Sequence, residues 1–250
     1  MALIKVLTGV RRCGKSILLE QIKEEFIENG FDRAHIITIN FEDLQFEKIR
    51  TAEKLNSYVN EQIKDHDKYL IFLDEIQECP NARCAIKFLV EDGRFDYIES
   101  GSLLGVRYKD VTSYPVGFEQ ILPMYPLDFE EYLWANGIQN HTLQYLKSCY
   151  DKKEKVSETV HETLCKLFYS YLVVGGMPET VQIYVDTHDI AKVVLNQRSI
   201  LDLYRLDIAK YASENKKVKI KAIFDSIPAQ LNEKNRRFKL NSINASATVV

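Results

Sequence analysis

The sequence has no Cys-x-x-Cys pair: its five cysteines (Cys13, Cys79, Cys84, Cys149 and Cys165) are scattered and odd in number. That excludes a zinc ribbon and a disulfide framework, and a reducing, cytoplasmic setting is expected. Proline and glycine are scarce, at 6 and 10 residues, which argues against a fibrous or disordered chain. No apolar run approaches the roughly 20 residues that a membrane helix needs, so no membrane partner is expected. A signal peptide is not read either, because residues 2–9 are too short for its apolar core and the cations follow that run. Neither sign of charge dominates: 33 Lys and Arg against 36 Asp and Glu give a formal net charge of -3, without chain-wide attraction for nucleic acid. The five histidines (His35, His66, His141, His161, His188) show no ligand spacing.

What is present describes a globular chain, 46% hydrophobic and 28% charged over 250 residues, long enough for one sizeable core and an appendage. Over the first 130 residues short apolar runs alternate with amphipathic helical stretches, the pattern of βαβ units and a parallel sheet. Strands are expected at residues 3–8, 35–40, 69–73, 95–99 and 118–124. Between them, helices are expected at 15–28, 52–64 and 81–90. In the first helix Leu18, Leu19, Ile22 and Phe26 share a face. Residues 69–73 are apolar throughout, as a strand buried on both faces must be.

After residue 128 the spacing changes to helix after helix: 129–135, 142–153, 157–173, 178–185 and 189–212. Phe129, Tyr132 and Trp134 are expected to pack the junction between core and helices. A polar break at 213–217, a short helix at 220–227, a basic segment at 234–239 and an aperiodic end follow.

Gly9-Val10-Arg11-Arg12-Cys13-Gly14-Lys15-Ser16 matches G-x-x-x-x-G-K-[ST] in full, between a predicted strand and a predicted helix. Gly9 and Gly14 let the backbone bend so that successive N–H groups point inward at phosphate oxygens, and the following helix N-terminus adds positive potential. Lys15 is expected to bridge the β- and γ-phosphates and Ser16 to ligate magnesium. Ile17, next in the helix, completes the expected nucleotide-binding set. A chance glycine-rich turn is the bland alternative. Arg11 and Arg12 can reach phosphate or acids, or stand solvated, and Cys13 is expected to fill space.

Tyr69-Leu70-Ile71-Phe72-Leu73-Asp74-Glu75 ends an apolar strand in two carboxylates, at the edge where open parallel sheets bind ligands. Asp74 is the candidate second magnesium ligand and Glu75 the candidate that polarises the attacking water. A helix cap is the alternative. Ser100 and Ser102, in Glu99-Ser100-Gly101-Ser102, end the next strand and offer hydroxyls to a γ-phosphate. The alternative there is a plain turn.

With these motifs the chain resembles the AAA+ superfamily, and more narrowly prokaryotic AAA+ ATPases with a C-terminal domain of unknown function. The segments that carry the resemblance are VLTGVRRCGKSILL (6–19), YLIFLDEIQE (69–78), SGSLLGV (100–106), PLDFEEYL (126–133) and GGMPET (175–180). It implies a P-loop α/β core over 1–136, a helical lid over 137–214 and a partial winged-helix-like element over 215–250. It also implies ATP and Mg2+ as ligands, hydrolysis that switches a protein partner, and homo-oligomers. Compared with such relatives the chain reads as shortened at both ends, and Gly117-Phe118 stands where many carry a basic phosphate sensor. A non-hydrolysing ATP-binding module is a second reading. DNA association through Lys216, Lys217, Lys219, Lys221, Lys234, Arg236, Arg237 and Lys239 is a third, against a solvated basic face. Arg107, Arg198 and Arg205 are candidates for an arginine donated to a neighbouring subunit.

Overall fold

The computed structural model describes residues 4–79, 82, 93–101 and 119–233. Five parallel strands, β1 (Ile4–Thr8), β2 (Ile36–Asn40), β3 (Tyr69–Asp74), β4 (Phe95–Gly101) and β5 (Glu119–Pro123), form one sheet. Their order is β2-β3-β4-β1-β5, so β4 enters between the two strands that carry the main motifs. Each strand ends within two residues of its expected limits. His35 drops out of β2 because it closes a 3-10 turn, Arg33–His35, whose Asp32 cap accepts from the Ala34 N–H.

Side chains alternate across the sheet, and this period of two builds two cores. Ile4, Val6, Ile71 and Leu73 face one side with Leu55 and Val59 of α2 (Ala52–Gln62). Leu7, Leu70, Phe72 and Ile98 face the other, packed with Leu18, Leu19 and Ile22 of α1 (Lys15–Glu28). Every residue of β3 is buried, as its unbroken apolar run requires. The helix expected at 81–90 lies, Ala82 apart, outside the described residues.

Internal contacts divide the chain into two compact units, Met1–His188 and Asp189–Val250. The first adds four helices to the sheet: α3 (Phe129–Ala135), α4 (Asn140–Lys152), α5 (Glu158–Val174) and α6 (Pro178–Thr187). A reciprocal Asp128–Glu131 capping box starts α3. Phe129 packs edge-on against Phe168, and the buried Tyr132 packs against Tyr171 and Tyr184. Trp134 departs from the expectation and is 48% exposed, since a position two residues from Tyr132 faces away from it on a helix.

The second unit contains α7 (Ile190–Tyr211) and α8 (Glu214–Leu231), with Arg205 of α7 bonded to Asp225 of α8 and to Asp202. The expected polar break at 213–217 is largely helix: Lys216 and Lys217 N–H groups bond to the Ser213 carbonyl, and α8 runs unbroken for 18 residues. Glu and Lys are good helix formers, so the charged stretch 214–219 extends the apolar one instead of ending it. Among the described residues no helix is long and apolar enough to cross a membrane.

Candidate functional site

Strand register brings the sequence motifs to one edge. Thr8 pairs with Gly101, Leu7 with Ser100, Leu73 with Glu99 and Asn40 with Asp74, so the C-terminal ends of four strands stand level. Residues 9–16 leave β1 two strands from Asp74, a spacing of about 10 Å at the usual interstrand distance.

The loop bends where the sequence permits. Gly14 adopts φ 99° and Arg12 φ 67°, both left-handed. Gly9 is required for a different reason: a methyl group there would lie 2.4 Å from the Met124 carbonyl oxygen and 2.8 Å from Cys13 Sγ. Cys13 is completely buried and fills that space. Lys15 is 4% exposed, and its Nζ donates to the Gly9 and Val10 carbonyls, each at 3.0 Å. The α1 N-terminus has neither a side-chain cap nor an acid in its first turn. Its N–H groups and dipole therefore offer positive potential at the loop. Ser16 and Ile17 are exposed beside it.

Both loop arginines carry acidic partners. Arg11 bonds to Glu42, just beyond β2, at 2.8 Å. Arg12 bonds to Glu179 of α6 at 3.1 Å, 167 residues away in sequence. The same helix reaches the loop through Pro178, whose Cγ would lie 3.7 Å from a methyl on Gly14.

On β3, the buried Asp74 accepts through Oδ1 from the Glu75 N–H at 3.0 Å and from the Ser100 hydroxyl. Ser100 is fully buried at the end of β4, and its partner is this carboxylate. Ser102 lies outside the described residues. Glu75 is left-handed at φ 52°, and the Gln77 side-chain amide donates to its Oε2. Burial pushes the Glu75 carboxyl above the usual carboxylate range; the Gln77 bond opposes this, Asp74 and Glu42 add to it and Lys15 opposes it. One carboxyl thus feels the loop cation and both acids, as a shared site requires.

Three features escaped the sequence reading. Gln77 and Glu179 lie inside YLIFLDEIQE and GGMPET, but nothing in either segment marks the contacts they make. His35 meets Asp65 and Asp67, with ligand atoms all within 4.8 Å, because the turns before β2 and β3 lie side by side. There the His35 ring bonds Asp65 at 2.9 Å and packs edge-on to Tyr69. Four of the eight basic residues considered for DNA (Lys216, Lys217, Lys219, Lys221) lie on α8, and the other four are outside the described residues. Arg107 is also outside them.

Residues 2–133, more than half of the chain, match the AAA domain family, and the protein belongs to it. Residues 165–249 match a domain of unknown function, DUF8612. An AAA-type core followed by a domain of unknown function is what the sequence motifs implied. The chain therefore has a nucleotide-binding, ATPase-type fold. It is similar to an uncharacterized protein of Haemophilus influenzae, 25% identical over 202 residues that make up 77% of this chain and 50% of that protein. It is also similar to the uncharacterized protein MJ1544 of Methanocaldococcus jannaschii, 28% identical over 218 residues, 87% of this chain and 45% of that one. The chain thus spans about half the length of these curated relatives. Among solved structures, C. elegans PCH-2 aligns over 72% of this chain and 54% of its own, at 11% identity and TM-score 0.42.

Proposed function

We propose that this chain binds ATP with magnesium in the loop 9–16 and hydrolyses it, the nucleotide cycle acting as a switch on a protein partner. The observation that carries the reading is the pairing of an uncapped helix N-terminus and a buried Lys15 with Asp74 and Glu75 at one sheet edge. The residues fit the ligands. A methyl on Gly9 would strike the Met124 carbonyl, so the close approach of the loop depends on glycine, and a loop of this kind offers backbone N–H groups as the donors a polyphosphate needs. Ser16 and Asp74 are the residues that would hold magnesium, whose charge offsets that of the phosphate oxygens. Lys15 supplies the second cation. Glu75 takes a proton from water as that oxygen bonds the γ-phosphorus and the β–γ bridging P–O bond breaks, giving ADP and phosphate. Burial, which raises the basicity of Glu75, supports this role.

Calorimetry with ATP and phosphate release together test the reading. Lys15→Ala should abolish binding, and Glu75→Gln should bind ATP yet stop turnover. Normal hydrolysis in both variants refutes it. A wild-type chain that binds ATP but never releases more than one equivalent of phosphate is instead the non-hydrolysing module.

A further inference from the structure

We infer that Gln77 is a positioning residue for hydrolysis: its side-chain amide fixes the Glu75 carboxylate in the orientation that accepts a proton from the attacking water. The inference rests on the proposed role of Glu75. Four observations carry it. Gln77 is only 3% exposed, an unusual place for an amide three residues beyond a strand end. Its Nε2 donates to Glu75 Oε2. The intervening 3-10 turn, Ile76–Glu78, is pinned by the Glu78 N–H on the Glu75 carbonyl and the Cys79 N–H on the Ile76 carbonyl, each at 3.0 Å. Ile76 and Cys79 are themselves buried in the core, so the turn cannot swing.

Glu75 meanwhile sits in left-handed backbone, where a non-glycine residue persists only if its surroundings hold it. Of the four described non-glycine residues with positive φ, two, Arg12 and Glu75, stand at this one edge. A carboxylate accepts on both oxygens, so a bond to Oε2 sets its plane and leaves Oε1 able to take a water proton. A glutamate has three side-chain torsions, and without the amide the carboxylate samples other rotamers during the reaction. The loss should therefore appear in kcat. ATP binding, governed by the loop on β1, should be spared.

The full chain is assayed for ATP hydrolysis as wild type, Gln77→Met, Gln77→Asn, Glu75→Gln and the Glu75→Gln/Gln77→Met double variant. Methionine keeps the length and volume and removes the donor, while asparagine keeps the amide one methylene short. If one variant folds poorly, as judged by thermal melting, the other reads the same quantity. General-base catalysis is worth about 100- to 10,000-fold, and disorienting the base should forfeit part of it, about tenfold in kcat with KM within about twofold. In the Glu75→Gln background, the second change should make less than about a twofold difference, since there is no base left to orient.

Turnover unchanged in both Gln77 variants while Glu75→Gln is inactive overturns the inference and leaves the Glu75 reading intact. So does a rise in KM that matches the fall in kcat, because that reports damaged binding. If Glu75→Gln hydrolyses ATP normally, or wild type does not hydrolyse it at all, both fail together.

Discussion

Gly176→Ala should disturb stability and nucleotide affinity together, because the backbone of GGMPET is fastened to PLDF where the loop's partner helix begins. A methyl group on Gly176 would lie 2.0 Å from the Leu127 carbonyl oxygen, 3.0 Å from its carbon and 3.1 Å from its nitrogen. No flexible side chain can yield there, since all three atoms are backbone. Leu127 is also doubly held, its N–H donating to the Gly176 carbonyl at 2.7 Å and its own carbonyl accepting from the Tyr171 hydroxyl at 2.9 Å. Overpacking costs about 1–3 kcal/mol, and two broken hydrogen bonds at about 0.5–1.5 kcal/mol each bring the total to about 2–6 kcal/mol. At about 2–4 °C per kcal/mol for a unit of this size, the melting temperature should fall by at least about 4 °C.

Pro178 follows two residues later and sits against Gly14, so a displaced Gly176 should also disturb the loop and weaken ATP binding, on the order of tenfold. Gly30→Ala is the control. That residue has φ 92° with nothing within 4 Å of the added methyl, so the substitution costs only left-handed strain, about 1–2 kcal/mol. Differential scanning calorimetry and ATP titration give both readouts. The reasoning fails if Gly176→Ala melts no lower than Gly30→Ala, or loses stability without losing affinity.

Arg12→Ala and Glu179→Ala remove an ion pair whose side chains are each 48% exposed, so either should lower melting by less than about 4 °C. Arg12→Ala alone should weaken ATP binding, by about three- to tenfold at low salt, in titration calorimetry. Ser100→Ala takes a donor from the buried Asp74 carboxylate and should cost about 1.5–3 kcal/mol in urea unfolding, with more magnesium needed for half-maximal ATP binding. His35 is held above its ordinary pKa, chiefly by the Asp65 hydrogen bond, and Asp65 below its own, chiefly by the same bond. The His35 contribution is thus full below its unfolded pKa and lost as pH rises through the folded one; that of Asp65 is present above its unfolded pKa and lost as pH falls through its folded one. His35→Gln should therefore flatten the decline of melting temperature between about pH 6 and 8, as followed by circular dichroism.

What the sequence made legible was local and periodic. The glycines and Lys15 of the loop, the all-apolar β3 and the acids closing it are consecutive residues, each dictated by geometry within one turn or one strand. The order of the strands was not legible, because no pattern within β4 says that it pairs with both β1 and β3. Contacts made only by folding were equally hidden: Arg12 with Glu179, and His35 with Asp65. Ser100 illustrates the middle case. Its position at a strand end was readable, whereas its full burial against Asp74 follows from the neighbouring strand. The error at 213–217 came from equating polarity with coil, although Glu and Lys favour helix on an exposed face.

Charge balance at the sheet edge bears on what that hidden pairing could do in the proposed function. The loop brings three cations, and acids from three separate elements answer the two outer ones and flank the third: Glu42 beyond β2, Glu179 on α6, and Asp74 with Glu75 at β3. Lys15 instead spends its donors on the loop's own carbonyls. An anion entering the loop would compete for the same cations, and each guanidinium it drew inward would loosen a bond to a different element. If an anion in the loop draws Arg12 from Glu179, the coupling is reciprocal, and breaking the contact at α6 raises affinity in the loop by the same factor. Surface pairs of this kind contribute little to stability, about 0–1 kcal/mol. That weakness would suit a contact that opens and closes in the proposed nucleotide cycle, since a buried pair would resist opening by several times as much.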